Sequence, residues 1–323
     1  MSRRSFLAVF LACAASAAAV HAPAHADDWP NRSIRLVVPY PAGGPVDGLA
    51  RAIAPKLGEE LGQSVVVENR AGGGGSIGLN YVTKAEGDGY TFGFGVPGAI
   101  TTLPQLQKVP YSADDLNYVS LVARVPQVIA VSPQTNVNSL KELLELAKSK
   151  PGLLNYGSAG IGTTPHLGAE LLKQEAGINI AHIPYQGAAP AVTALLGNEV
   201  QILTSDLPGL LPQLSRGIKI LAVCTEKRVD SLPDVPTTAE LGFPALRVES
   251  NYGIIAPERT PPEITGKFHA ALVKVLADPQ VKATIAKQGA MAESTTPEGY
   301  RQMMLEETQK WGKVIKTANV KID

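Results

Sequence analysis

The chain has 323 residues, 45% hydrophobic and 18% charged, with 29 basic residues set against 29 acidic ones. So even a balance argues against nucleic acid or an anionic membrane surface as partner. Two cysteines, Cys13 and Cys224, are too few for a disulfide framework, and the length suggests two domains, each with its own core.

Residues 1–26 read as an export signal. Arg3-Arg4 give the positive start, Phe6 to Val20 the apolar stretch, and Ala24-His25-Ala26 a small-x-small cleavage site. The stretch is too short to span a bilayer, so no membrane insertion is expected after processing. Ser2-Arg-Arg-Ser-Phe-Leu7 fits the twin-arginine route, and the general secretory route fits as well. Phe10 disfavours a lipoprotein anchor at Cys13. Cleavage leaves 297 residues, 27 basic against 29 acidic, hence a net charge near −2, and a periplasmic location.

The mature chain opens with a strand, Ile34-Arg-Leu-Val-Val38, running into Pro39-Tyr-Pro-Ala-Gly-Gly-Pro-Val-Asp47-Gly48 and then a helical pattern that Asp47 can cap. A strand feeding a Gly/Pro loop that opens a helix aims free backbone N–H groups at one point, an anion pocket that needs no basic side chain. Val65-Val-Val-Glu-Asn69 into Arg70-Ala-Gly-Gly-Gly-Gly-Ser76, and Thr91-Phe-Gly-Phe-Gly95 into Val96-Pro-Gly98-Ala99, repeat the plan. Further strands are predicted near 118–122, 126–131, 153–158, 179–184, 199–204, 218–223 and 248–255. Cys224 ends the apolar run Ile218-Lys-Ile-Leu-Ala-Val223 and reads as a buried strand residue. Ser139 with Glu142, and Thr237 with Glu240, have capping-box spacing. Helices over about 261–277, 279–288 and 297–316, each opened by a proline, close the chain.

This alternation predicts an α/β protein with two mainly parallel sheets. Val125-Pro-Gln-Val-Ile-Ala-Val131 and Val248-Glu-Ser-Asn-Tyr-Gly-Ile-Ile-Ala256 read as crossover strands. The chain then divides into one lobe of 27–126 plus 252–323 and a second of 127–251, with the ligand between them.

Gly73-Gly-Gly75-Ser-Ile-Gly78 satisfies G-x-G-x-x-G, yet no acidic residue follows at the distance a ribose requires. A mobile or tightly turned loop near the cleft is the better reading. Gly157-Ser158-Ala159-Gly160 misses the nucleophile-elbow pattern, and His166 and Asp206 follow in the wrong order to complete a triad. A secreted hydrolase using Ser158 is thus a remote alternative, and no catalytic residue is assigned. The segment Asn155-Tyr-Gly-Ser-Ala-Gly-Ile-Gly-Thr-Thr-Pro-His166 reads instead as another strand-to-helix anion loop, with hydroxyls from Ser158, Thr163 and Thr164. His166, His182 and His269 lack ligand spacing, so neither metal nor cofactor is expected. His182 reads as structural, and His166 as lining the cleft or supporting the loop. Asp206 either caps a helix or contacts the ligand or the facing lobe. One helix start is worth roughly 0.3–2 kcal/mol to an anion, whereas micromolar binding needs about 8 kcal/mol, so several loops must converge in a clamp that closes.

Val37-Val-Pro-Tyr-Pro-Ala-Gly-Gly44 with Asp47, then Val65-Val-Val-Glu-Asn-Arg70 and its glycine run, resemble the opening of the Bug receptors, the solute-binding components of tripartite tricarboxylate transporters. Asp88-Gly-Tyr-Thr91, Gly160-Ile-Gly-Thr163 with His166, His182-Ile-Pro-Tyr-Gln-Gly187 and Leu232-Pro-Asp-Val-Pro-Thr237 extend the resemblance over the mature chain. It implies a non-enzymatic, two-lobed periplasmic binding protein (type II-like), a monomer that delivers a small organic carboxylate to integral-membrane transporter subunits. A periplasmic sensor presenting the same acid to a signalling system is the alternative. The resemblance places one carboxylate on Tyr40, Ala42, Gly43 and Gly44, and the second lobe's contacts on Ser158, Ala159, Thr163, Thr164 and the Asp206 region. Asp47, Gly98 and His166 complete the candidate ligand-binding set. Val46, Ile161 and Pro165 stand where the family favours other residues, each removing a possible polar side chain. The ligand expected is an aromatic or short aliphatic mono- or dicarboxylate rather than citrate.

Overall fold

The structure is a computed structural model and describes residues 29–321, so the expected export signal and Cys13 lie outside the described residues. Strand β1 (Ile34–Val38), buried apart from Arg35, runs parallel between β2 (Val65–Asn69) and β3 (Thr91–Gly95). Helices α1 (Pro45–Leu61) and α2 (Ser76–Lys84) connect them. Leu49, Ile53 and Leu57 put one buried stripe of α1 against that sheet at the four-residue spacing of a helix face.

The expected strands at 118–122 and 126–131 are one strand, β4 (Leu116–Val131), which is buried along nearly its whole length. Pro126, the residue that suggests a break, sits where β4 changes partners. Before it, β4 pairs antiparallel with β9 (Glu249–Pro257); after it, with β7 (Ile202–Asp206) and β8 (Lys219–Val223). A missing N–H costs little at such a switch. Beyond it lies the second sheet, with β5 (Asn155–Ser158) parallel to β6 (Ala181–Pro184) and β7. Helices α3 (Leu140–Ser149), α4 (Thr164–Ala176) and α5 (Ala188–Leu196) intervene. Each half of this sheet is parallel within itself and antiparallel where the chain crosses. The two crossings lie side by side, since Gln127 N–H donates to Val248 O at 3.1 Å and Pro126 stands opposite Glu249. Cys224, buried just past β8, bonds to both segments through its backbone.

The C-terminal helices are α6 (Pro262–Ala277), α7 (Pro279–Lys287) and α8 (Pro297–Thr317), with a two-residue strand, β10 (Met291–Ala292), added to β4. Their starts are chemically marked. Asp278 accepts from Gln280 and Val281 N–H, and Thr296 from Gly299 N–H, with proline next in each case. Thr237 and Glu240 make the reciprocal bonds of a capping box, but on a turn, not a helix. Helices α6 and α7 bury Phe268, Leu272, Val281 and Ile285 in the core of the first sheet. Helix α8 straddles: Tyr300 and Met304 belong to that core, whereas Trp311 and Val314 belong to the core of the second sheet. No helix among the described residues is long and apolar enough to cross a membrane.

Phe268, fully buried, stacks on Phe92 with ring centroids 3.8 Å apart. Phe268→Ala should cost about 3–5 kcal/mol in urea denaturation, through lost transfer energy and the cavity left behind; a loss under about 1 kcal/mol would mean that α6 does not anchor this core.

Candidate functional site

Strand ends of both sheets face one cavity. Its walls are Tyr40, Pro41 and Gly44 to Val46 from the β1–α1 loop, Pro97 and Gly98 after β3, Ala159 and Thr163 to Pro165 from the β5–α4 loop, Ala188 and Ala189 at the start of α5, and Ser205, Asp206 and Tyr252 at its foot. Three helices of nine residues or more thus begin at this cavity. Their first turns leave the N–H groups of Val46 and Asp47, of Thr164 and His166, and of Ala188 and Ala189 without intrahelical acceptors. Lysine, arginine and histidine are absent from the lining.

The structure brings Tyr40, Gly44, Gly98, Ala159, Thr163, Thr164 and Asp206, of the expected set, into the walls. Ala42, Gly43, Asp47, Ser158 and His166 are not in the lining: Ala42 and Gly43 are exposed, and Asp47, Ser158 and His166 are buried and bond to the backbone of their loops. Asp47 lies inside α1 rather than at its cap, and Gly44 is the N-cap residue. The Asp47 carboxylate accepts from Gly43 N–H at 2.9 Å, Arg51 at 2.9 Å and Asn69 at 3.0 Å. Burial opposes its charge, but these bonds from Arg51, Gly43 and Asn69 outweigh it and hold Asp47 below the usual carboxylate range. Asn69 also donates to Tyr40 O, tying β2 to the loop.

Ser158 Oγ is fully buried, accepts from Gly160 N–H and lies 2.7 Å from His182 Nε2. His182 in turn stacks between Tyr156 and His166. His166 Nδ1 accepts from Gly162 N–H at 3.1 Å. Burial, and then the nearby Lys173 ammonium, pull His166 down to about 4. Burial and then His166 pull His182 down to about 3, so both rings are neutral near pH 7. The imagined Ser158, His166 and Asp206 constellation is therefore not assembled, because each residue is engaged elsewhere. Asp206 begins the turn after β7 without capping it and accepts from Ser250 Oγ at 2.8 Å and from Tyr252 Oη. Burial pushes its carboxyl up to about 6, and the two hydroxyls only partly offset that.

Ala188 and Ala189 escaped sequence reasoning, although Ile183-Pro-Tyr-Gln-Gly187 is a strand-to-helix loop of the same kind as the first. Tyr252 and Ser250 escaped it because they lie in the middle of a strand, where no local signal marks a site. Gly73–Gly75 forms a single tight 3₁₀ turn. It lines an outer pocket that shares Tyr40 and Ala159 with the inner cavity.

The chain matches the family described as tripartite tricarboxylate transporter family receptor over residues 49–320. It is similar to the solved Rhodopseudomonas palustris protein Rpa4515 with adipate: 36% identity, TM-score 0.88, 91% of this chain and 99% of that one. It is similar to the periplasmic binding protein BugD: 34% identity, TM-score 0.86, 91% and 99% covered. It is also similar to MatC of Rhodopseudomonas palustris with bound malate: 29% identity, TM-score 0.84, 89% and 100% covered.

Asp206 has a pH signature. Its proton is lost near 3.8 in the unfolded chain and near about 6 in the fold, so its contribution is fully present below 3.8 and disappears as pH rises through about 6. Asp206→Asn should gain on the order of 2–3 kcal/mol relative to wild type between about pH 4 and about pH 7 in urea titrations. A difference between the two proteins that does not change with pH would rule out a buried, unpaired Asp206 carboxylate.

Proposed function

The chain belongs to the tripartite tricarboxylate transporter receptor family, and on that premise we propose that it is an exported receptor, not an enzyme, that traps a small organic carboxylate in the inner cavity and presents it to the membrane subunits of the transporter. One observation carries this reading: three helix starts, from both sheets, meet on a cavity with no basic side chain in its lining. Helix starts favour an anion, and each is worth up to about 2 kcal/mol. Three of them fall short of the roughly 8 kcal/mol of micromolar binding, so hydroxyls and apolar contact must supply the rest. Thr164 offers a hydroxyl directly, whereas those of Thr163, Ser205, Tyr40 and Tyr252 donate to Gly160 O, Asp206 O, Gly74 O and the Asp206 carboxylate and must turn to reach a ligand.

Pro41, Pro45, Val46, Pro97, Pro165, Ala188 and Ala189 form the remaining walls. They suit a short body between polar ends and offer little to the third carboxylate of citrate. The adipate of Rpa4515 and the malate of MatC are of this size, which supports a C4–C6 dicarboxylate here. Lobes of 27–126 plus 252–323 and of 127–251 would close on the ligand by flexing where β4 and β9 cross, at Pro126 and Glu249, and along α8, whose Trp311 and Val314 pack in the core of the second sheet. Export through a signal at residues 1–26 brings the receptor to the periplasm.

Adipate or malate at about 100 times its dissociation constant should stabilise the protein by about 2.7 kcal/mol, seen as a raised melting temperature. Gly44→Leu, which fills the cavity between two helix starts, should abolish the rise. Because a bound anion and an ionised Asp206 repel each other, affinity should fall as pH rises above about 6, and Asp206→Asn should flatten that dependence. Calorimetry in which citrate bound tightest, or in which Gly44→Leu bound as well as wild type, would refute the assignment.

A further inference from the structure

The two sheets also touch at the edge of the ligand cavity, where backbone faces backbone. Gly162 O, in the β5–α4 loop, accepts from the Thr102 hydroxyl, in the single π-helical turn Gly98–Thr102 after β3. The same carbonyl stands where a side chain at Gly98 would be: a Cβ there would lie 2.7 Å from Gly162 O and 2.8 Å from Thr163 Cα. All of these neighbours come from across the cleft. The backbone at Gly98 is not in the left-handed region, so its own conformation does not demand glycine. Only the facing loop does.

Each partner is held in place. Gly162 has φ +74°, a conformation suited to glycine, and its N–H is taken by His166 Nδ1 at 3.1 Å. The His166 ring is fixed in turn by stacking on His182, with centroids 4.1 Å apart. On the other side, Tyr111 Oη donates to Ala99 O at 2.8 Å and steadies the turn. Thr102 has one hydroxyl proton and two acceptors within reach, its own-turn Gly98 O at 2.8 Å and Gly162 O. With the lobes apart, the first remains; with them together, the second is available.

We propose that this contact is an interlobe latch, in which the Gly162 carbonyl, aimed by His166, is received by Thr102 and Gly98 only when the cleft shuts, and in which the missing side chain of Gly98 sets how far it can shut. The proposal rests on the reading of a two-lobed closing receptor and makes His166 a positioning residue rather than a ligand contact.

Thiol spin labels at Val66→Cys and Leu153→Cys, both exposed and on different lobes, report the separation by pulsed electron resonance, while Cys224 is buried. The latch predicts a short-distance component in otherwise wild-type protein, even before acid is added. Gly98→Ala should abolish that component without lowering the melting temperature, since alanine is favoured over glycine in a helical turn. His166→Leu should reduce the component, and His166→Asn, which keeps an acceptor where Nδ1 stood, should restore most of it. Gly98→Ala with the wild-type distance distribution, no short component in wild type, or equal behaviour of the Leu and Asn variants would each overturn the latch. Adipate and malate test the other reading separately: if neither shifts the wild-type melting temperature while the distances of the variants still differ, the carboxylate assignment fails and the latch stands.

Discussion

The architecture depends on one constraint: the proposed anion site has no basic side chain in its lining. A backbone N–H at a helix start carries only a fraction of a charge, and its effect fades within a turn. Such a site needs several helix starts, and it needs them in a cavity from which water is excluded, where hydrogen bonds are electrostatically stronger. The ends of one parallel sheet point roughly the same way, so the first sheet supplies only one face of the cavity. Starts of α4 and α5, from the second sheet, supply the opposing face. The long β4 follows from that need, because it lets one chain build both sheets and set their strand ends against each other.

Asp206 complicates this picture in an informative way. It ends β7 opposite Gln127, the first residue of β4 after the crossing, and takes hydroxyls from Ser250 and Tyr252 of β9. The acid at the foot of the cavity thus stands opposite one crossing segment and is bonded by its side chain to the other. Helix starts above draw in negative charge and the carboxylate below repels it. A ligand anion that descends to Asp206 must bring a proton or a donor group, or leave Asp206 neutral. Two hydroxyl donors are too few to hold a fully buried carboxylate ionised at low cost, which is why its titration moves upward rather than down. The first-loop carboxylate, Asp47, shows the contrast: an arginine, an amide and a backbone N–H around it move its titration downward.

Much of this was legible in the residues. Strand-loop-helix units announce themselves through apolar runs that stop at Gly/Pro loops, so β1, β3 and β5 and the loops after them read correctly to within a residue or two. The C-terminal helices did too, because Asp278 and Thr296 with their following prolines are local chemistry. What was not legible is tertiary. Pro126 looks like a strand breaker unless one knows that the partner strand changes there. Tyr252 looks like any aromatic in a strand until its hydroxyl meets Asp206, forty-six residues away in sequence. Ser158 and His166 have the chemistry of ligand contacts, and the sequence cannot say that this chemistry is spent on Gly160, His182 and Gly162 behind the wall. Residue type gives the capacity to bond, but the fold decides which side of the loop receives it.

The nature of the closing contact matches what a receptor requires. A net hydrogen bond is worth about 1 kcal/mol, which biases a two-state equilibrium roughly fivefold. Moving a population from almost all open to almost all closed takes about 5.5 kcal/mol. The Thr102 bond to Gly162 therefore tilts the equilibrium and leaves the decision to the ligand. A latch made of long charged side chains would lose rotamer freedom on every closure and would weaken with salt. A carbonyl against a glycine loses almost none, and its geometry follows from backbone alone. The same glycine that permits the approach also limits it, since the facing main chains are already near contact at Gly98 and at Gly74, where a Cβ would meet Ile161 O at 2.9 Å. In the proposed latch, closure ends on hard backbone walls at these two glycines. Selectivity among acids then falls to the groups inside: the three helix starts, the hydroxyls and Asp206.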